Sequence, residues 1–255
     1  MRAGPGLRKA TKLATLPLGV WPPRAPDDVV ILLYHRVGPE EVEIELPPWE
    51  FEREIAYLAS HERVRTLDDV LEEGGGGVVI TFDDGTPDFH EHVVPLLERY
   101  RVPATLYLAT RLAESGAGLT WDHLADGVRT GLVTVGSHTH THADLSRASE
   151  SEAHEEMRRS KDLIEDHLGV ACRHFAYPWA VGSPPAARAA RELFRSAALH
   201  AWRTNRAGRL DPFELGRTPI LRSDGRFFFE QKVRGRLDAE SLAYRVLRRG
   251  PWERA

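Results

Sequence analysis

The stretch that most constrains this chain is Val78-Val-Ile-Thr-Phe-Asp-Asp-Gly85, a β-branched, apolar run that stops on two adjacent carboxylates and a glycine. An apolar run of this length reads as a strand buried on both faces, and such strands belong to parallel sheets covered by helices. Asp83 and Asp84 then stand at the strand's exit, with Gly85 free to turn the chain away. Taken alone, Asp-Gly after a strand also marks a hairpin turn. A second polar cluster shifts that balance, because Gly136-Ser137-His138-Thr139-His140-Thr141-His142 likewise follows an apolar run. Two polar clusters at strand ends point to one shared metal site.

The rest of the chain repeats this arrangement. Val29–Tyr34 is a continuous apolar run ending at His35, and Ala104–Ala109, Leu132–Val135, His174–Tyr177, Ala197–Leu199 and Thr218–Leu221 are further strand candidates, with Val64–Leu67 a short one. Helices are expected over Trp49–Ser60, Asp68–Glu73, Trp121–Thr130 and Pro185–Phe194. A further helix should run from the capping pair Thr86-Pro87 to Tyr100, and a long one from the capping box Ser149-Glu-Ser-Glu152 to Gly169. Strands alternating with helices imply a parallel sheet. Closed into a barrel, it would gather His35, Asp83, Asp84, His138, Trp179, His200 and Arg222 at one end, where barrel enzymes place their chemistry. The glycine run 74–77 precedes a strand and lacks a Gly-Lys-Ser/Thr ending, so it is a connection and not a phosphate loop.

A chain of 255 residues suits one such domain, divided as a flexible arm over 1–27, a barrel over 28–222 and a helical extension over 223–255, with a helix at 239–249. The formal charge of −4 gives no reason to expect nucleic acid as a partner. Cys172 is the single cysteine, which excludes an intramolecular disulfide and a sulfur-dominated metal site. No apolar run is long enough to span a bilayer. The stretch Leu13–Val20 is interrupted by Pro17 and lacks a small-x-small cleavage pattern, so a cytoplasmic location is expected. Oligomeric state is left open.

His138 and His142 are four residues apart, so a helical turn or a tight loop aims both imidazoles the same way, whereas a strand would bring His140 in line as well. Two histidines and one carboxylate leave metal positions open for water and substrate. The motifs Thr81-Phe-Asp-Asp-Gly85 and His138-Thr139-x-x-His142, in this order, resemble those of polysaccharide deacetylases of the NodB-homology type, carbohydrate esterase family 4. Leu33-Tyr-His-Arg-Val37 and Phe175-Ala-Tyr-Pro178 are similar to one branch of that family, and the resemblance covers roughly residues 29 to 236. It implies a distorted (β/α)7 barrel, a divalent metal that is usually zinc, and an N-acetylated saccharide substrate.

Carried over residue by residue, the resemblance makes Asp84, His138 and His142 the metal ligands and Asp83 the general base. One motif departs from the pattern: Ala176 stands where many relatives carry an arginine that braces the base, and Arg217 in Leu215-Gly-Arg-Thr-Pro219 is the candidate replacement. The family's Pro-Tyr-Gly ending becomes Pro178-Trp179-Ala180-Val181-Gly182. Tyr177, Pro178, Trp179 and His200 are therefore placed at the substrate, with Trp179 stacking on a sugar ring and the Tyr177 N–H or a neighbour facing the oxyanion. His35 and His200 are the candidates for the catalytic acid, His35 being preferred. The expected activity is metal-dependent N-deacetylation of a saccharide. Sugar O-deacetylation and a non-catalytic metal- or sugar-binding domain are the alternatives, and a barrel phosphoesterase is disfavoured by the lack of a basic phosphate clamp.

Overall fold

The computed structural model describes residues 24–199 and 203–236. Its strands in chain order are β1 (Val29–Tyr34), β2 (Arg36–Val37), β3 (Glu45–Leu46), β4 (Gly77–Asp84), β5 (Ala104–Leu108), β6 (Val133–Ser137), β7 (His174–Ala176), β8 (Ser196–Leu199), β9 (Leu215–Gly216) and β10 (Thr218–Pro219). The helices are α1 (Pro48–His61), α2 (Leu67–Glu73), α3 (Val94–Tyr100), α4 (Thr110–Ser115), α5 (Trp121–Arg129), α6 (Glu150–Leu168), α7 (Pro184–Leu193) and α8 (Gly225–Val233).

The main sheet has the order β10-β1-β4-β5-β6-β7-β8-β9, and every pairing in it is parallel. Its two edges, β9 and β10, are separated in sequence by Arg217 alone. They are two halves of one stave, so the sheet closes through its own backbone into a distorted seven-staved barrel. The expected fold class is the observed one.

Period-two alternation sorts each stave. Val29, Ile31, Val79, Tyr107, Ala176, Ala198 and Leu215 form one apolar cluster in the lumen, which Leu67 and Val70 of α2 plug from the N-terminal end of the strands. The intervening residues, among them Val30, Leu32, Tyr34, Val78, Ile80, Phe82, Leu106, Val135 and Phe175, pack outward under the helices. Burial on both faces explains why these strands are continuous apolar runs. The long helix α6 is capped as expected: Ser149 Oγ accepts from the Glu152 N–H at 3.3 Å, Ser149 N–H donates to the Glu152 carboxylate at 2.8 Å, and α6 closes on Gly169 with φ of 66°.

Several local expectations change. Val64 makes only a bridge to Val78, because Thr66 and Asp69 form a capping box that starts α2 at Leu67. The helix expected from Thr86 begins instead as a π-helical turn over Phe89–Val93, in which the Val94 N–H donates to the Phe89 carbonyl. Pro95 has no N–H to give to the Glu91 carbonyl, so the ladder is shifted by one residue there. Helix α4 was not expected, and α8 lies within the helical extension expected over 223–255, ahead of the helix placed at 239–249. In α8, Phe228 and Phe229 are buried, Phe229 meets Tyr57 of α1 edge-on at 5.8 Å, and the buried Lys232 ammonium donates at 2.8 Å to both Asp224 and the Pro219 carbonyl, pinning the closing stave. Arg222 donates to the Glu40 carbonyl at 3.0 Å, so it serves the connection after β1 and does not join the gathered residues. The helix expected at 239–249, the segment 1–23 and His200 lie outside the described residues. No helix of the described residues is long and apolar enough to cross a membrane.

The lumen is tight where β6 passes Tyr107. A Cβ on Gly136 would stand 2.8 Å from the His174 carbonyl oxygen and 2.9 Å from the Tyr107 ring. Gly136→Ala should therefore lower stability by about 1–3 kcal/mol through overpacking. A urea midpoint equal to that of the unmodified protein would contradict that tightness.

Candidate active site

The alternation that fills the lumen also aims the polar residues at its mouth. Continuing the inward parity of each stave leads to His35 after β1, Asp83 near the end of β4, His138 after β6 and Arg217 between β9 and β10. Asp84 would by parity face outward, but its φ of 76° turns its carboxylate back to the same mouth. Gly85 follows with φ of 93°, and a Cβ there would strike Leu108 at 2.4 Å, so only glycine lets the chain leave in that direction. In this way two adjacent aspartates reach one site from a strand that would ordinarily send them to opposite faces.

Asp84, His138 and His142 offer ligand atoms that all lie within 4.8 Å of one another. His142 Nε2 is 3.3 Å and His138 Nε2 3.7 Å from Asp84 Oδ1. The donor set fits a divalent metal chemically as well as spatially. His138 Nδ1 lies 2.8 Å from the Ala176 carbonyl oxygen, which can only accept, so Nδ1 carries the proton and Nε2 presents a lone pair to the site. Burial pushes the His138 imidazole down to about 4, against the pull of Asp83, so it is neutral at physiological pH. Burial would raise the Asp84 carboxyl, but its hydrogen bond with His142 and the electrostatic attraction of the neighbouring His35, His138 and His142 imidazoles outweigh that and hold it far below the usual carboxylate range. The residues 138–142 form a loop, neither helix nor strand, and His140 is carried away from the cluster to Thr110 Oγ1 at 3.0 Å and Glu114 at 3.6 Å.

Asp83 sits beside this set without belonging to it. Its two oxygens receive a bidentate grip from Arg217, at 2.6 and 2.8 Å, and His138 Nε2 lies 3.6 Å from Oδ2. Burial alone would raise the Asp83 carboxyl; the Arg217 charge, His138 and the Arg217 hydrogen bond together hold it below its ordinary value. Arg217 is 1% exposed and its guanidinium lies 5.3 Å from the Tyr107 ring centroid, a cation–π support that sequence reasoning did not foresee. His35 is half-buried; burial lowers its imidazole, opposed by the nearby Asp84 and Asp83 charges, which places it at the same mouth.

The residues after β7 divide differently from the expectation. Tyr177 continues the outward parity of Phe175, meets that ring edge-on at 4.8 Å in the outer core and is 3% exposed. Its N–H donates to the Ala198 carbonyl at 3.1 Å. Tyr177 thus faces away from the site with its N–H occupied, which corrects both its placement at the substrate and its use as an oxyanion donor. Pro178 is buried at the start of a single 3-10 turn, Pro178–Ala180. Trp179 stands at the rim, 44% exposed, with its ring 4.7 Å from that of His142.

Residues 72–196 match the family model described as polysaccharide deacetylase. Over that stretch the chain resembles polysaccharide deacetylases. It is similar to the poly-β-1,6-N-acetyl-D-glucosamine N-deacetylase of Staphylococcus aureus, 27% identical over 150 residues that make up 51% of this chain and 52% of that protein. It spans about half the length of the curated relatives it matches. Its fold is similar to that of the Streptococcus pyogenes deacetylase PplD solved in complex with acetate, with TM-score 0.74 and 22% identity over 82% of this chain and 99% of that one. It is also similar to IcaB from Ammonifex degensii, with TM-score 0.71 and 26% identity over 83% and 97% of the two chains.

Breaking a buried ion pair from one side leaves an uncompensated charge. Arg217→Met should cost about 3–5 kcal/mol at neutral pH. Part of that loss should return on acidification, because a protonated Asp83 no longer needs a counter-charge; urea melts at two pH values measure both, and a pH-independent loss would rule out the unpaired carboxylate as its cause.

Proposed function

We propose that this polysaccharide deacetylase homologue is a metal-dependent hydrolase that removes the acetyl group from an N-acetylated saccharide, with Asp83 as general base. The observation that carries the reading is the gathering of Asp84, His138 and His142 within 4.8 Å, with the Arg217-held Asp83 beside them. The naming of the Staphylococcus aureus relative as an N-deacetylase supports nitrogen over oxygen as the leaving atom.

Asp84, His138 and His142 would hold the ion. A divalent cation bound there, zinc being the family's usual one, would lower the pKa of water and polarise the acetyl carbonyl. Asp83 takes the proton of the water as its oxygen adds to the carbonyl carbon. Arg217 keeps that carboxylate ionised and fixed in orientation, while each of its oxygens retains a second lone pair for the incoming proton. His35, in its protonated form, delivers a proton to the amide nitrogen as the C–N bond breaks, so that acetate and a free amine leave. Trp179, exposed at the rim beside His142, offers an apolar face to the sugar ring.

Acetate release from a panel of N-acetylated oligosaccharides should be abolished by chelator and restored by added zinc. A protein that holds zinc stoichiometrically yet turns over none of them would favour a binding role over catalysis. Asp83→Asn should lose acetate release by several orders of magnitude while keeping its zinc, because the base is not a ligand. His142→Ala should lose the zinc itself, read by metal analysis after gel filtration. If Asp83→Asn also emptied the site, the proposed division of labour between the two aspartates would be wrong.

A further inference from the structure

Of the six non-glycine residues in the left-handed region among the described residues, five lie at the barrel mouth: Asp84, Thr139, His142, Trp179 and Ala180. Each such backbone costs on the order of 1–3 kcal/mol and persists only where its surroundings hold it. Thr139, with φ of 64°, and His142, with φ of 61°, bracket the loop that carries both histidines of the metal set. The constraint on that loop comes from outside the site.

We propose that Glu156 on α6 is a positioning residue for the histidine pair: its grip on Thr141 holds the strained loop in the shape that brings His142 to Asp84 and His138. Glu156 Oε2 accepts from the Thr141 N–H at 2.8 Å and Oε1 from the Thr141 hydroxyl at 2.9 Å. The Glu156 backbone carbonyl accepts from the His140 N–H at 3.1 Å, one residue further back along the loop. From the other side α4 completes the hold, with the Arg111 N–H donating to the His140 carbonyl at 2.9 Å and Thr110 Oγ1 3.0 Å from His140 Nδ1. The two residues between Thr139 and His142 are thus tied away from the metal set, and the ends of the loop are turned toward it.

Among the described residues no Lys or Arg forms an ion pair with Glu156, so its carboxylate is committed to Thr141 through charge-assisted hydrogen bonds. The clamp faces a cavity of about 510 Å3 on the outer side of the loop, lined by Arg111, Glu114, His140, Thr141, Glu156 and Arg159. Water can therefore take the place of the carboxylate in a truncated variant without opening the apolar core.

The inference rests on the metal reading of Asp84, His138 and His142. Zinc affinity is to be measured by competition with a chromophoric chelator for the unmodified protein, Glu156→Ala, Glu156→Gln and Thr141→Val, together with the melting temperature of each metal-free protein. Glu156→Ala and Thr141→Val should weaken zinc binding by about tenfold to a hundredfold. Glu156→Gln, which keeps an acceptor for the Thr141 N–H, should recover most of the loss, and the metal-free melting temperatures should differ little. Unchanged zinc affinity in Glu156→Ala and Thr141→Val would overturn the clamp. So would a fall in metal-free stability that accounts for the whole loss, which assigns Glu156 to folding alone. Unmodified protein that binds no zinc would instead sink the metal reading, and the clamp with it.

Discussion

The pairing of Arg217 with Asp83 is where the closure of the fold and the chemistry of the site become one constraint. A buried ion pair is stable only when its desolvation is offset by close, well-directed hydrogen bonds. Here the two terminal guanidinium nitrogens meet both carboxylate oxygens, in a lumen that also packs Tyr107 against the guanidinium. Arg217 is the single residue between β9 and β10, so the stave that closes the barrel is also the one that delivers the counter-charge to β4. The closing stave is anchored a second time by the buried Lys232, which reaches the Pro219 carbonyl and Asp224 from α8.

The same geometry accounts for the alanine at 176. Ala176 and Ala198 are small residues of the lumen cluster, and Arg217 is buried at the same end of the barrel against Asp83 and Tyr107. A second guanidinium at 176 would compete for one carboxylate in a confined space. The small residue on β7 and the arginine on the closing stave are complements, and the Ala176 backbone is used instead, its carbonyl fixing the tautomer of His138.

Period two was enough to read most of this from the chain. The apolar runs of β1, β4 and β5 announce strands buried on both faces, and counting in twos from the lumen residues reaches His35, Asp83, His138 and Arg217. The same count puts Tyr177 with Phe175 on the outer face, so its placement at the substrate followed motif position where alternation pointed the other way. Alternation does not reach Asp84, because the positive φ that turns it inward breaks the pattern; its place came from the motif resemblance. Spacing alone does not separate His140 from His138 and His142; the His138-Thr139-x-x-His142 resemblance did. The extension over 223–255 was read as helical, but the bounds of α8 were not legible because its buried face includes Gln231 and Lys232 beside Phe228, Phe229 and Val233, which blurs any apolar stripe. The Ala176 carbonyl and the Glu156 grip on Thr141 depend on tertiary approach and leave no mark in a single sequence.

Charge bookkeeping links the ion pair to the proposed reaction. With Asp83 matched by Arg217, the carboxylate left for an ion is that of Asp84, and His138 meets it as a neutral donor because its other nitrogen is protonated against a carbonyl. A divalent cation held by Asp84, His138 and His142 would therefore keep a net positive charge in a partly dry mouth, where electrostatic interactions are stronger than in water. Negative charge building on an acetyl oxygen would be favoured there, and the neutral ground-state amide much less so, which is the difference that accelerates a reaction. Had Asp83 been left unpaired, its charge would have cancelled that excess. In the proposed reaction the arginine would do more than orient the base: it would keep the carboxylate beside the ion from neutralising the field on which the transition state depends.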